Sequence, residues 1–241
     1  MTIDLNCDMG EAYGIYKCGD DGAIMPLISL ANVACGFHAS DPSVMRQTVR
    51  LAKRHGVHVG AHPSYPDRDG FGIRDMAMEG EELCACVMYQ VGALKGFLDA
   101  EGMALNHVKP HGALYCTAWS DEQVARAIAR AANAFGVPLM GMSGTGQEIW
   151  YRDEGVEVIW ETYVDIDYND AGEVVDTRKT DPVSVEAAAA QAVRSARDGQ
   201  VRTMSGKLID VKCETICVHS DTPGVVEIAI AVNEAIAEYS G

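Results

Sequence analysis

The chain has 241 residues, 48% of them hydrophobic, and carries 35 acidic against 19 basic side chains, for a formal net charge of -16. That length suits one large core in a single domain over 1–241, while the acidic balance argues against nucleic acid and anionic membranes, whose binding needs clustered Lys and Arg. No apolar run approaches a membrane span, and the opening MTIDLNCDMGEAYG has acids where a signal peptide needs a basic and then an apolar block, so a cytoplasmic location is expected.

In chain order, TIDLN and ISLANVACG read as the first strands. In SDPSVMRQTVRLAKRHG, Ser40 or Asp41 caps a helix with Pro42 in its first turn. Val44, Thr48, Leu51, Ala52 and His55 fall on one face, and Gly56 ends it. VHVGAHPS follows as a strand. From Glu81, the residues Leu83, Val87, Val91, Leu94 and Leu98 line a second helix up to Gly102, and MALNHVKPHG supplies the next strand. Ser120 with Gln123 makes a capping-box pattern ahead of Val124, Ile128 and Phe135, after which come Gly136 and VPLMGMSG. A helix over Gln147 to Asp153 stops at Gly155 before VEVIWETYVD. Another runs from Asp181 and Pro182 through an alanine run to Gly199, and a hairpin leads on to ETICVHSD. The last helix has Val225, Ile228, Ala229, Val232 and Ile236 at helical spacing.

About seven strands, each followed by a helix or helical segment, imply a parallel sheet; in this length they favour a closed, TIM-barrel-like seven-stranded βα barrel over a doubly wound sheet. Two long connections, Pro63 to Gly80 and Thr162 to Thr180, both follow strands and are expected to cover the barrel mouth.

Barrel enzymes gather their chemistry at the C-terminal ends of the strands. Those ends read Asn6, Asp8 and Glu11; Asn32, Cys35 and His38; His62 and Ser64; Lys109 and His111; Ser143; Glu161 and Asp165; His219 and Asp221. A lone Asp, Asn or Ser after a strand is usually a cap or turn former, which does not explain histidines at four separate ends. His55, His58 and His107 are assigned to structure, with His107 pointing away from the mouth.

Asp8, His38 and His62 have the types of one oxygen and two nitrogen ligands, so they could hold a divalent metal. Lys109 and His111, two apart in HVKPHGALY, point the same way if the strand continues through Pro110. Lys109 could then stabilise a developing oxyanion or phosphate while His111 moves a proton. Gly144 to Gly146 could cradle a phosphate, but GxxxxGK followed by Ser or Thr is absent and a loop is the simpler reading. Cys7, Cys18, Cys35, Cys84, Cys86, Cys116, Cys213 and Cys217 contain no CxxC pair and read as reduced, mostly buried thiols; Cys35 and Cys217 stand beside polar motifs.

The segments LNCDMGE, ANVACGFHASDP, GAHPSYPD with GFG, YQVGAL, HVKPHGALY and CVHSDTPG, in this order from Leu5 to Gly224, resemble the LamB/YcsF family, the A subunits of bacterial 5-oxoprolinase. The resemblance implies a barrel of the glycoside hydrolase and polysaccharide deacetylase type. It implies ATP-dependent opening of 5-oxo-L-proline to L-glutamate with partner subunits B and C, ATP being a co-substrate. By the same resemblance Asp8 and Glu11 are base or metal-holding carboxylates, His38 and His62 proton carriers or ligands, and Lys109 an electrostatic stabiliser. His111 and His219 are further acids or bases, and Asn6, Asn32, Tyr115 and Asp221 face substrate.

Ser40 and Ser220 stand where the family commonly has glycine, Ile166 where it has arginine, and VVDTR with a shortened connection replaces a Leu-Val-Pro-Arg element. An arginine at the mouth suits a carboxylate or phosphate. Arg178 could substitute, and a related cyclic amide or imide stays open as the substrate. Two further readings of function remain: a metal-dependent amide hydrolase or deacetylase needing no ATP, and a substrate-binding or scaffolding subunit whose chemistry lies in its partners.

Overall fold

A computed structural model describes residues 3–175 and 182–239. Among them, β1 (Asp4–Met9), β2 (Leu30–Ala34), β3 (His58–His62), β4 (Leu105–Val108), β5 (Leu139–Gly141) and β6 (Val158–Tyr163) run parallel around a barrel. The antiparallel hairpin β7 (Gln200–Arg202) and β8 (Leu208–Asp210) stays outside, as expected from sequence. The ring is then closed by β9 (Thr215–His219), which pairs in parallel with both β6 and β1. The seven-stranded βα barrel is therefore present.

Strand alternation separates two environments. Cys7, Val33, Ala61, Val108, Ile216 and Val218 are buried in the apolar layer under the helices. Their neighbours in sequence, Asn6, Asp8, Asn32, His107, Cys217 and His219, bond to one another across the lumen. Barrel interiors are usually filled by branched apolar side chains; here the lumen is polar.

The barrel is clothed by α1 (Asp21–Ile24), α2 (Pro42–His55), α3 (Gly80–Glu101), α4 (Gly112–Thr117), α5 (Glu122–Phe135), α6 (Gln147–Asp153), α7 (Val185–Val193) and α8 (Val225–Ile236). α7 continues into a π-helical turn over Arg194–Asp198; the expected start of this helix at Asp181 lies outside the described residues. α2 is capped by Asp41, whose carboxylate accepts from the backbone N–H of Ser43 and Val44. Its buried stripe is Met45, Thr48, Val49 and Ala52, not the expected one. Val44 and Leu51 flank it half-buried and His55 is exposed, because the barrel meets the helix about one residue further round. At α5 the cap is Asp121 rather than Ser120: its Oδ1 reaches the N–H of Gln123 at 2.9 Å and of Val124 at 3.1 Å.

α3 spans 22 residues and is long and apolar enough to cross a membrane, contrary to the sequence reading. Its Leu83, Val87, Val91, Leu94 and Leu98 are fully buried against the barrel, each burial contributing roughly 1.5–3 kcal/mol. The rest of its surface carries Glu81, Glu82, Lys95 and Asp99, all exposed or half-exposed.

Candidate active site

The floor of the site is set by strand register. Asn6 donates to Thr215 Oγ1 at 2.9 Å, and the Asn32 amide donates to Asn6 Oδ1 at 2.8 Å and to Asp8 Oδ1 at 2.7 Å. His107 joins this layer, its Nε2 lying 2.7 Å from Asn32 Oδ1. The expectation that His107 points away from the lumen is thus corrected: strand residues two apart share a face, so His107 lies beneath Lys109. Burial, then the nearby Lys109 charge, pushes its pKa down to about 3, and the ring is neutral. It fits because residue 60 has no side chain; a Cβ there would lie 2.1 Å from His107 Nε2.

Above this layer Lys109 Nζ lies 3.1 Å from Asp8 Oδ1, 3.1 Å from Glu161 Oε2 and 3.0 Å from Cys217 Sγ. Burial alone would lower the Lys109 pKa, but Asp8, Cys217 and Glu161 outweigh it and leave it well above the ordinary value. Asp8 is depressed in turn: burial opposes its charge, and His62 and Lys109 overcome that. An ionised carboxylate and a fixed ammonium therefore sit side by side, both nearly closed to solvent.

Three histidines and Glu11 converge on the other side of Asp8. His62 Nε2 is 3.2 Å from Asp8 Oδ2 and 3.0 Å from His111 Nδ1, and His38 Nε2 is 3.0 Å from Glu11 Oε1. Burial, reinforced by Asp8, raises the Glu11 pKa, while burial with the neighbouring rings lowers that of His38 and takes that of His111 to about 3. The His38 and His111 rings stack with centroids 3.7 Å apart, and Phe71 meets both edge-on. Phe71 and Gly72 come from the long connection after β3, which closes over the mouth as expected. Both have positive φ, 57° and 71°, and a Cβ on Gly72 would lie 2.7 Å from the His111 ring, so glycine is needed there.

At the opposite wall His219 is held by Asp165, which accepts from its backbone N–H and lies against its Nδ1, and stacks on Tyr163 at 5.8 Å. Asp8, Glu11, His62, Lys109, His111, Tyr115, His219 and Asp221 all line one cleft, with Phe71, Tyr163, Ile166 and Val174 as apolar walls. It encloses about 640 Å³ including its open mouth, the scale of a small-molecule site.

Of the residues expected at the site, Asn6 and Asn32 do not line the cleft; their amides are engaged below it with Thr215, Asp8 and His107. His38 stands behind His111. The group able to hold a metal is Glu11, His38, His62 and His111 rather than Asp8 with His38 and His62, because Asp8 is turned to Lys109. Glu161, Tyr163, Asp165 and Cys217 were not singled out as site residues, although ETYVD and CVH place them on the inward parity of β6 and β9. Cys35 is not in the cleft: its thiol donates to Val33 O at 3.2 Å, and burial raises its pKa to about 12. None of the cysteines forms a disulfide; Cys7, Cys35 and Cys217 are buried and the others half-buried. In the Gly144–Gly146 loop, Glu148 accepts from the Gly144 N–H at 3.1 Å, so the loop already holds a carboxylate where a phosphate would bind. Ser40 has φ 72°, which accounts for glycine being common there. Arg178 lies outside the described residues.

Fold and cleft together define a parallel βα-barrel protein with a small-molecule site built from carboxylates, one buried lysine and four histidines at the strand ends. The chain belongs to the LamB/YcsF family, whose model matches residues 3–240. It is 46% identical to the 5-oxoprolinase A subunit of Thermus thermophilus, over 99% of this chain and 97% of that one. It is equally 46% identical to the lactam utilization protein lamB of Emericella nidulans, over 98% and 94%. The crystal structure of a lactam utilization protein from Thermus thermophilus superposes with a TM-score of 0.91 at 45% identity, covering 99% of this chain and 97% of that chain.

Proposed function

We propose that this chain acts as the A subunit of an ATP-dependent 5-oxoprolinase, a hydrolase that opens the lactam of 5-oxo-L-proline to L-glutamate together with subunits B and C. The observation that carries this is near-full-length identity of 46% to a protein with that name. The cleft adds a chemical reason. A lactam carbonyl is a poor electrophile, and attack of its oxygen on the γ-phosphorus of ATP, with ADP leaving, converts it into an activated imidate. Water then adds to the carbon, the C–N bond breaks as nitrogen takes a proton, and a second water hydrolyses the resulting acyl phosphate to glutamate and phosphate.

In this scheme ionised Asp8 takes the proton from water, and His219, with Asp165 behind it, supplies the proton to the leaving nitrogen. Lys109 holds Asp8 and Glu161 in place; exchanging its contact to Cys217, the weakest of its acceptors, frees one N–H for the developing oxyanion. Asn6 and Asn32 position Asp8. Tyr115 and Asp221, on the cleft wall, face the substrate. With Ile166 among the apolar walls, a related cyclic amide remains within reach of the same chemistry.

The histidine and Glu11 cluster favours one second reading, an amide hydrolase that needs metal and no ATP. Glutamate release from 5-oxoproline by the purified chain, alone and with subunits B and C, with and without ATP, separates the two. Release only with all three subunits and ATP is expected. Release by the chain alone without ATP would replace the first reading with the second, and activity surviving Asp8→Asn in the full complex would reduce this chain to a scaffold.

A further inference from the structure

Two backbone carbonyls decide which nitrogens of the central histidines carry protons. Lys109 O lies 2.7 Å from His62 Nδ1, and Phe71 O lies 2.7 Å from His111 Nε2. A carbonyl only accepts, so both of those nitrogens bear hydrogen. The remaining nitrogens, His62 Nε2 and His111 Nδ1, then face each other as lone pairs only 3.0 Å apart. Lone pairs at that distance repel unless a proton or a cation lies with them. His38 Nε2 and Glu11 Oε1 point into the same space, and the ligand atoms of the four residues lie within 4.8 Å of one another. A shared proton relieves one such pair; a cation relieves all four together.

We propose that Glu11 Oε1, His38 Nε2, His62 Nε2 and His111 Nδ1 form a binding site for one divalent transition-metal ion of the zinc type. Three imidazoles and one carboxylate suit such an ion and do not suit Mg²⁺ or Ca²⁺, which take oxygen ligands. Ligand atoms around a tetrahedral zinc are separated by about 3.3 Å, given bond lengths near 2.0–2.1 Å; the separations here include 3.0 Å, 3.0 Å and 3.9 Å. The carbonyl partners of His62 and His111 are of the kind that orient metal-bound imidazoles. Asp8 stays outside the set. The alternative group of Asp8, Cys217 and His219 is closed to a cation by Lys109 Nζ, already 3.1 Å from Asp8 and 3.0 Å from Cys217.

The test does not depend on which reaction the protein performs. The full chain, purified without a chelating tag, is loaded separately with Zn²⁺ and Co²⁺, freed of loose metal, and analysed by mass spectrometry of the elements. About one ion per chain is expected, with visible d–d bands from the cobalt form. Asp8→Asn should keep the ion, whereas Glu11→Gln and His111→Gln should weaken binding by about tenfold or more in competition with a chromogenic chelator. Wild-type protein that retains under roughly a tenth of an ion per chain, or that shows no cobalt bands, overturns the site even if the variants fail to fold. Unchanged affinity in a folded His111→Gln would overturn it as well, and loss of the ion in Asp8→Asn would assign the ligands differently. Failure of metal binding leaves the ATP-dependent reading intact, and failure of that reading leaves the metal result standing.

Discussion

Asp165 is joined to His219 at two atoms: Oδ2 accepts from the backbone N–H at 2.7 Å and Oδ1 lies 3.0 Å from Nδ1. Burial alone would lower the His219 pKa, but the Asp165 charge, helped by the contact with Cys217, leaves it well above the ordinary value. A histidine raised on folding stabilises fully below its unfolded value, about 6.5, and that contribution is lost as pH rises through the folded value. The stability of wild type relative to His219→Gln should therefore be greatest in mild acid and shrink through the alkaline range. Urea unfolding at a series of pH values measures this, and a difference that grows with pH would show that the pair is not charged.

Lys109→Met should lose stability as well as turnover. Asp8 and Glu161 would stay buried without their counter-charge, at a cost of about 3–5 kcal/mol, and the assembled complex should slow by about a hundredfold or more. The carboxylate pKa values in this variant rise above their unfolded values, so the penalty shrinks as pH falls. Adding Asp8→Asn should restore part of the stability, and a double-mutant cycle by chemical denaturation reads the coupling directly.

His107→Ala should cost about 2–4 kcal/mol, because it opens a cavity and leaves Asn32 Oδ1 without its 2.7 Å partner. His58→Ala, at an exposed position at the start of β3 in the same barrel, should stay within about 0.5 kcal/mol of wild type. Equal melting temperatures for the two variants would contradict the inward placement of His107.

Helix capping gives a comparison between adjacent residues. Asp121→Ala removes an acceptor for two orphan N–H groups and should cost about 1 kcal/mol, while Ser120→Ala should cost under about 0.5 kcal/mol. Thermal denaturation of the pair distinguishes them.

The barrel was legible because its signals are local. Asp41 starts a helix; Gly56, Gly102 and Gly136 end helices in the left-handed conformation; and a short apolar strand follows each. Strand parity also carried Glu161, Tyr163 and Asp165 to the inner face, though an acid after a strand is more often a turn former. Which residues meet across the lumen is set by ring closure over separations such as the 209 residues between Asn6 and Thr215, and local pattern carries no such information. That is why Asp8 was grouped with His38 and His62 when Glu11 and His111 complete that cluster. Phe71 had no signal at all, since its contribution is a backbone carbonyl delivered by an irregular loop.

Gly60 and His107 occupy what is one side chain's worth of space shared between two strands, at the point where the β3–β4 register shifts. Neither position can change size alone. A larger residue at 60 displaces the imidazole, and a smaller one at 107 leaves a hole that residue 60 cannot fill unless it grows at the same time. Substitutions at the two sites are therefore non-additive, and a sequence can leave this arrangement only by a paired exchange whose single-step intermediates are both less stable. The polar floor under Asp8 is in this sense kept by kinetic isolation in sequence space, on top of its hydrogen bonds.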